Sequence, residues 1–166
     1  MLPATKRWAR IGPNEPKTLF HTPESGLCLS SFVVAIRGRS VLLGRPRDHP
    51  AWPEKGGFPR FRVPDLVERG AWLLPATHLR MGESPDEAAR RIAQEWAGLD
   101  GVPTFVEVQS HLSPGAMWRK GRRSHHWDLC FVYEMRTRRL PRPKPWWAEW
   151  RFVPFSEIPQ VTVGRG

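Results

Sequence analysis

The chain is poor in cysteine, in acidic residues and in long apolar runs, and each shortage excludes something. Only two cysteines occur among its 166 residues, Cys28 and Cys130, each inside an apolar, strand-like stretch. There is no C-x-x-C, so a structural zinc site is not expected, and two buried thiols in a reducing compartment is the simplest account. No run approaches the roughly 20 consecutive apolar residues that span a bilayer. The N-terminal MLPATKRWARIG has no apolar core of the signal-peptide kind. Together these predict a soluble, cytoplasmic protein. The motifs G-x-x-x-x-G-K-[ST], G-x-S-x-G and H-E-x-x-H are absent too, which removes the commonest phosphate-loop, serine-hydrolase and zinc-protease readings.

Acids are outnumbered by bases, 16 Asp and Glu against 26 Lys and Arg, for a formal charge of +10. Such a surface suits nucleotides, nucleic acid or another polyanion, and it also serves solubility alone. The length fits one domain with one core, and 40% apolar composition is enough to fill it. Nine Trp imply broad packing surfaces or a stacking site, and 18 Pro imply many loops and edge strands.

Along the chain, residues 1–25 are polar and Pro-rich and read as a surface segment preceding a domain over 26–166. Leu27 to Ile36 is β-branched and apolar, Arg37-Gly38-Arg39 is a turn, and Ser40 to Leu43 is the returning strand of a hairpin. Residues 45–70 carry Pro and Gly without clear periodicity and read as an inserted or functional loop. Ala71 to Leu74 is a short apolar strand, followed by a loop to Gly82.

The segment from Ser84 to Gly98 is the best helix. Ser84 is an N-cap, Pro85 occupies the first helical position, Glu87 completes a capping box and Gly98 is a natural stop. Strands are expected at Thr104 to Gln109, Trp127 to Met135 and Trp150 to Phe155, with basic loops between them. Strands, one strong helix, then more strands define a mixed α+β domain.

The helix carries a resemblance. The stretch WLLPATHLRMGESPDEAARRIAQEWAGL resembles the Nudix box, G-x5-E-x7-R-E-U-x-E-E-x-G-U with U aliphatic. Glu83 falls on the first Glu, Arg91 on the Arg, Ala93 on U, Glu95 on the first of the paired Glu, Gly98 on the last Gly and Leu99 on the last U. The later stretches HHWDLCFVYEM and EWRFVPFSEIP also look like strands of that family, so the resemblance runs from Leu27 to Pro159. It implies the Nudix fold: a mixed sheet sandwiched with the box helix. It further implies an enzyme that cleaves a nucleoside diphosphate linked to another moiety, using Mg2+ or Mn2+.

The departures fall on the metal ligands. Thr77 stands at the first Gly, Ile92 at the Glu after the Arg, and Trp96 at the second paired Glu. Of the three helix Glu that bind metal in the family, only Glu95 remains. Carried over, Glu95 is the main ligand, Glu83 a supporting carboxylate and Arg91 an orienting partner. An acid outside the box, Asp128 or Glu134, is the further ligand. Arg45 in LLGRP is a candidate for substrate phosphate, and His126 and Trp127 for the rest of the substrate, with His125 alongside. A pair of solvated loop histidines and an exposed Arg explain the same residues without function.

Helical spacing puts Ala88, Ile92 and Trp96 on one face and Glu83, Glu87, Arg91 and Glu95 on a neighbouring one, where Glu87–Arg91 and Arg91–Glu95 pairs would add about 0.2–0.5 kcal/mol each. The expected consequence is weak metal affinity with slow or absent hydrolysis. The alternative is an inactive module that binds nucleotide or RNA. Two basic runs support the latter, residues 119–123 and 136–144, flanked by Trp118, Trp146, Trp147 and Trp150. A third reading treats the apolar stripe and the tryptophans as a homodimer interface.

Overall fold

The computed structural model describes residues 27–52, 63–114, 125–142 and 144–160, with backbone alone for 112–114, 125–126 and 160. The expected surface segment at 1–25 and the basic run at 119–123 lie outside the described residues. The elements are β1 Leu27–Arg37, β2 Ser40–Pro46, α1 Val63–Glu68, β3 Ala76–His78, α2 Pro85–Arg91, β4 Thr104–Pro114, β5 His125–Arg136 and β6 Trp147–Pro154. The strands form one six-stranded sheet in the order β4-β5-β1-β2-β6, with β3 paired to β1. This is the expected α+β architecture. No described helix is long and apolar enough to cross a membrane.

Two compact units divide the chain. The larger holds 29–109 and 130–166, and the smaller holds 1–28 and 110–129. In the smaller unit, the Trp127 indole Nε1 donates to Ser110 Oγ at 2.9 Å. All other geometry below belongs to the larger unit.

The β1–β2 hairpin turns at Gly38, whose φ of 59° suits a residue without Cβ. Two strand expectations shift. Within Ala71–Leu74, Trp72 and Leu73 make isolated bridges, Leu73 to Gly44, and the longer strand is β3, placed where a loop was expected. Pro75 explains the offset. It has no N–H for a ladder, but its carbonyl accepts from Val33 N at 2.8 Å and so starts the pairing of β3 with β1. The long segment 45–70 also gains order, because β2 runs on to Pro46 and α1 closes the far end with Val63 and Leu66 buried.

Helix α2 begins as its sequence dictates: both halves of the capping box form, with Glu87 N donating to Ser84 Oγ and Ser84 N to the Glu87 carboxylate. From Ile92 to Ala97 the helix continues as a π turn and stops at Gly98, whose φ is 68°. One face of the whole helix is buried: Ala88, Ala89, Ile92, Ala93, Trp96 and Ala97.

Trp96 stacks on Trp146 with centroids 5.4 Å apart and meets Trp52 and Trp147 edge-on at 4.9 and 5.2 Å. Trp147 also lies 4.4 Å from Trp150. Two backbone carbonyls tie this cluster down: Trp147 Nε1 donates to Trp96 O at 3.1 Å and Trp52 Nε1 to Arg47 O at 2.7 Å.

The cluster explains Gly44. A Cβ there would lie 2.7 Å from ring atoms of both Trp147 and Trp150. Gly44→Ala is therefore expected to lower stability by about 2 kcal/mol through overpacking. Chemical denaturation of the two proteins measures it, and an unchanged midpoint would mean the indoles shift freely.

Candidate functional site

The loop from His78 to Glu83 and the helix that follows are held by one ion pair. Arg91 Nε and Nη2 donate to the two Glu83 carboxylate oxygens at 2.6 and 2.7 Å, and Nη2 also reaches the His78 carbonyl at 3.1 Å. Both side chains are about nine-tenths buried. The Arg80 backbone N–H adds a third donor to Glu83 at 2.8 Å. The hydrogen bonds from Arg91, joined by the Arg80 N–H and outweighing burial, hold the Glu83 carboxyl below its ordinary value.

This arrangement corrects the pairing expected from helical spacing. Arg91 binds Glu83, across the start of the helix, and Glu87 is engaged at the cap. Two features redirect them. Ser84 offers Glu87 both its N–H and its hydroxyl at 2.8 Å. A bidentate carboxylate fixed by the preceding loop is a better partner for a planar guanidinium than a solvated one along the helix.

Glu95 is half exposed, and Arg80 Nη2 lies 3.6 Å from its carboxylate. Arg80 thus links the two surviving acids of the box, Glu83 by its backbone and Glu95 by its side chain. Nothing in the spacing marks Arg80. It precedes the helix in an aperiodic loop, and the structure alone shows its role.

Ile92 and Trp96, the residues at the two missing Glu positions, are 0% and 2% exposed. The apolar stripe is therefore core and not an open face. It is not available as a dimer surface, and Trp146, Trp147 and Trp150 pack with it instead of standing beside the basic loop.

Nearby, the Tyr133 hydroxyl donates to Asp86 Oδ1 at 2.5 Å, and burial together with this bond pushes the phenol's pKa well up. This pair fastens the first turn of α2 to β5.

The other expected site residues are placed as follows. Arg45, on β2, faces Glu149 of β6 with an Nη1 to Oε2 distance of 3.4 Å and lies 6.0 Å over the Trp72 ring. Asp128 and Trp127 are half-buried on β5 in the smaller unit, and His126 is described by its backbone in that strand. The structure thus brings Glu83, Arg91 and Glu95 into one neighbourhood through Arg80. Arg45 has its own partners, and the β5 residues belong to the other unit. Among the described residues, no group of three or more His, Cys, Asp or Glu is arranged around a common point.

The model of the NUDIX domain family matches residues 29–165. The chain belongs to the Nudix family. Among solved structures, the MutT NUDIX hydrolase of Burkholderia pseudomallei is similar at 18% identity and TM-score 0.55, covering 82% of this chain and 90% of that one. The MutT protein of Methanosarcina mazei Go1 is similar at 15% identity and TM-score 0.57, covering 87% and 88%. The NUDIX domain of Shewanella oneidensis NrtR, solved with ADP ribose, is similar at 14% identity and TM-score 0.52, covering 98% and 90%. At these identities the likeness is one of fold. No curated protein matches by sequence.

Within this Nudix domain, two substitutions have clear expected outcomes. Arg91→Met strands a largely buried carboxylate and should cost about 3 kcal/mol at neutral pH. Because Glu83 titrates below its ordinary 4.5 when folded, its contribution is complete above that pH and is lost as the pH falls through the lowered value. Urea unfolding from neutral to acid pH should therefore show the two proteins converging below 4.5, and parallel curves would contradict the ion pair. Ile92→Glu puts a charge into the core without a partner. The expected result is a large loss of stability in thermal unfolding, with no metal-supported activity gained.

Proposed function

We propose that this Nudix domain binds a nucleoside diphosphate derivative without metal-assisted hydrolysis of any consequence. The observation that carries the reading is the burial of Ile92 and Trp96: at two of the three carboxylate positions the helix directs apolar side chains into the core.

The residues present do not fit a divalent ion. Magnesium takes near-octahedral oxygen ligands and is commonly held by one or two carboxylates plus phosphate. Glu83 spends both oxygens on Arg91. Glu95 has the Arg80 guanidinium beside it, a fixed positive charge that competes with a cation for the same oxygens. That pair is half exposed and individually weak, so Glu95 alone could be drawn away from Arg80. One such carboxylate supplies a single charge where the family uses three.

A ligand class follows from charge and family. A net charge of +10 favours phosphate-bearing ligands, and the Shewanella domain is solved with ADP ribose, which makes that compound the first probe. Arg45 is half exposed and remains a candidate for phosphate, exchanging Glu149 for the ligand. RNA is a second reading. It is supported by Arg138 and Arg139, both exposed within the loop after β5. Its aromatic half is weaker, since the neighbouring tryptophans pack in the core.

Calorimetry with ADP ribose tests the proposal. Binding in EDTA should lie within tenfold (about 1.4 kcal/mol) of binding in manganese. Glu95→Gln should bind equally well, and incubation with manganese should release no mononucleotide. Manganese-dependent cleavage that disappears in Glu95→Gln would overturn the reading and restore a working hydrolase. If ADP ribose fails to bind while a single-stranded RNA binds with steep salt dependence, the RNA reading takes its place.

A further inference from the structure

The two ends of the sheet are treated differently by the sequence. At one end, β6 reads WAEWRFVP, and its charged residues are engaged: Glu149 with Arg45 and Arg151 with Glu157. Charges and a terminal proline on an edge strand discourage pairing with another chain. At the other end, over Thr104–Gln109, the part of β4 within the larger unit, the one charged side chain is Glu107, and proline stands only outside it, at Pro103 and at the strand's last residue, Pro114. The stretch TFVEVQ holds no Lys, Arg or Pro. In a chain with 26 Lys and Arg, no such residue occurs from 92 to 118.

The same stretch is exposed on both faces. Phe105, Val106 and Val108 are 49%, 54% and 48% exposed, and every residue from Thr104 to Gln109 is open to solvent with them. Among the described residues, β4 is the end of the strand order. A two-sided apolar edge strand without a cationic guard is a template for one more strand.

We propose that this strand is a homodimer interface, with β4 of a second copy adding antiparallel across a two-fold axis at Val106. Charge selects the occupant. All 26 Lys and Arg lie elsewhere in the chain, and the net charge of +10 repels a second copy, whereas TFVEVQ bears only Glu107. The pattern selects the register. Centred on Val106, Val106 faces Val106 of the second copy and Thr104 faces Val108, so one face becomes a continuous row of β-branched residues, the best cross-strand neighbours. On the other face Phe105 lies opposite Glu107, and the two carboxylates are kept apart. Centring on Glu107 would set like charges directly opposite. Centring on Phe105 would bring Pro103, which has no N–H, opposite Glu107. This interface is distinct from the buried helix stripe and independent of the ligand-binding reading.

A contact made by one short strand sits at the low end of interface sizes, so the dimer should be weak, with a dissociation constant on the order of micromolar. Sedimentation velocity of the full chain from about 1 to 100 μM should show a monomer giving way to a dimer. Val106→Lys should remain folded by circular dichroism and stay monomeric throughout that range. Register is read by cysteine cross-linking under mild oxidation. In an antiparallel pair, opposite Cα atoms are about 4.5–5.5 Å apart, within disulfide reach, so Val106→Cys should give a covalent dimer. Phe105→Cys places its cysteines about 8 Å apart in this register and should cross-link no more than the wild type, whose own Cys28 and Cys130 set the background. A wild type that stays monomeric at about 100 μM overturns the proposal, whether the edge is open or covered by the chain's own residues. So does a dimer that persists in Val106→Lys, or cross-linking at 105 in place of 106.

Discussion

A helix that packs on a sheet has one face to bury, and in this Nudix domain Trp96 and Ile92 claim it. The claim is strong because the indole of Trp96 is gripped from several sides, by Trp146 stacked on it, by Trp52 and Trp147 at its edges, and by a hydrogen bond from Trp147 to its own carbonyl. Aromatic contacts in these offset and edge-on geometries contribute about 0.5–1.5 kcal/mol each beyond the area they bury. Much else is set by that grip. Gly44 has to lack a side chain, β6 has to enter with two adjacent tryptophans, and the segment after β2 has to bring Trp52 inward. The same two positions cannot both anchor a core and display carboxylates, and here they anchor the core.

The surviving acids show the division of labour inside the Nudix box. Glu83 and Arg91 keep their partnership because it is structural: a nearly buried, bidentate pair that locks the loop to the helix and would leave an unpaired charge if either were lost. Glu95 is placed differently. It lies on the solvent side, in a half-exposed pair with Arg80. The Glu83–Arg91 spacing of the box thus has a folding role in this chain. A box recognisable by its frame of Glu83, Arg91 and Gly98 does not by itself supply the carboxylates at positions 92 and 96.

The fold was legible where local rules act without competition. Ser84, Pro85 and Glu87 define the helix start by capping, Gly98 ends it by its left-handed φ, and Gly38 turns the first hairpin. Legibility failed where a contact far along the chain decides. Nothing near Pro75 announces that its carbonyl will pair with Val33 and move the strand to Ala76–His78. The helix pattern correctly grouped Ile92 with Trp96, but spacing cannot say whether a shared face looks into a cleft or into the core. That needed Trp52, Trp146 and Trp147, which arrive from two other segments. Arg91 was expected to bind its neighbours along the helix, and a better-placed acid in the preceding loop took it.

Charge distribution joins the box helix to the sheet edge. The stretch from 92 to 118, free of Lys and Arg, contains the π turn that buries Trp96, the acids Glu95, Asp100 and Glu107, and the exposed edge of β4. In a chain this basic, leaving one stretch without cations has two physical effects. It leaves Glu95 to be neutralised from outside the stretch, which Arg80 does, and it leaves one sheet edge without the repulsion that protects the rest of the surface. A scaffold that holds its ligand by positive charge gains from concentrating that charge away from any surface where its own copies meet, because like charges facing each other across a contact oppose it. If the domain binds phosphate and pairs through β4, an edge free of Lys and Arg keeps the two contacts from opposing each other.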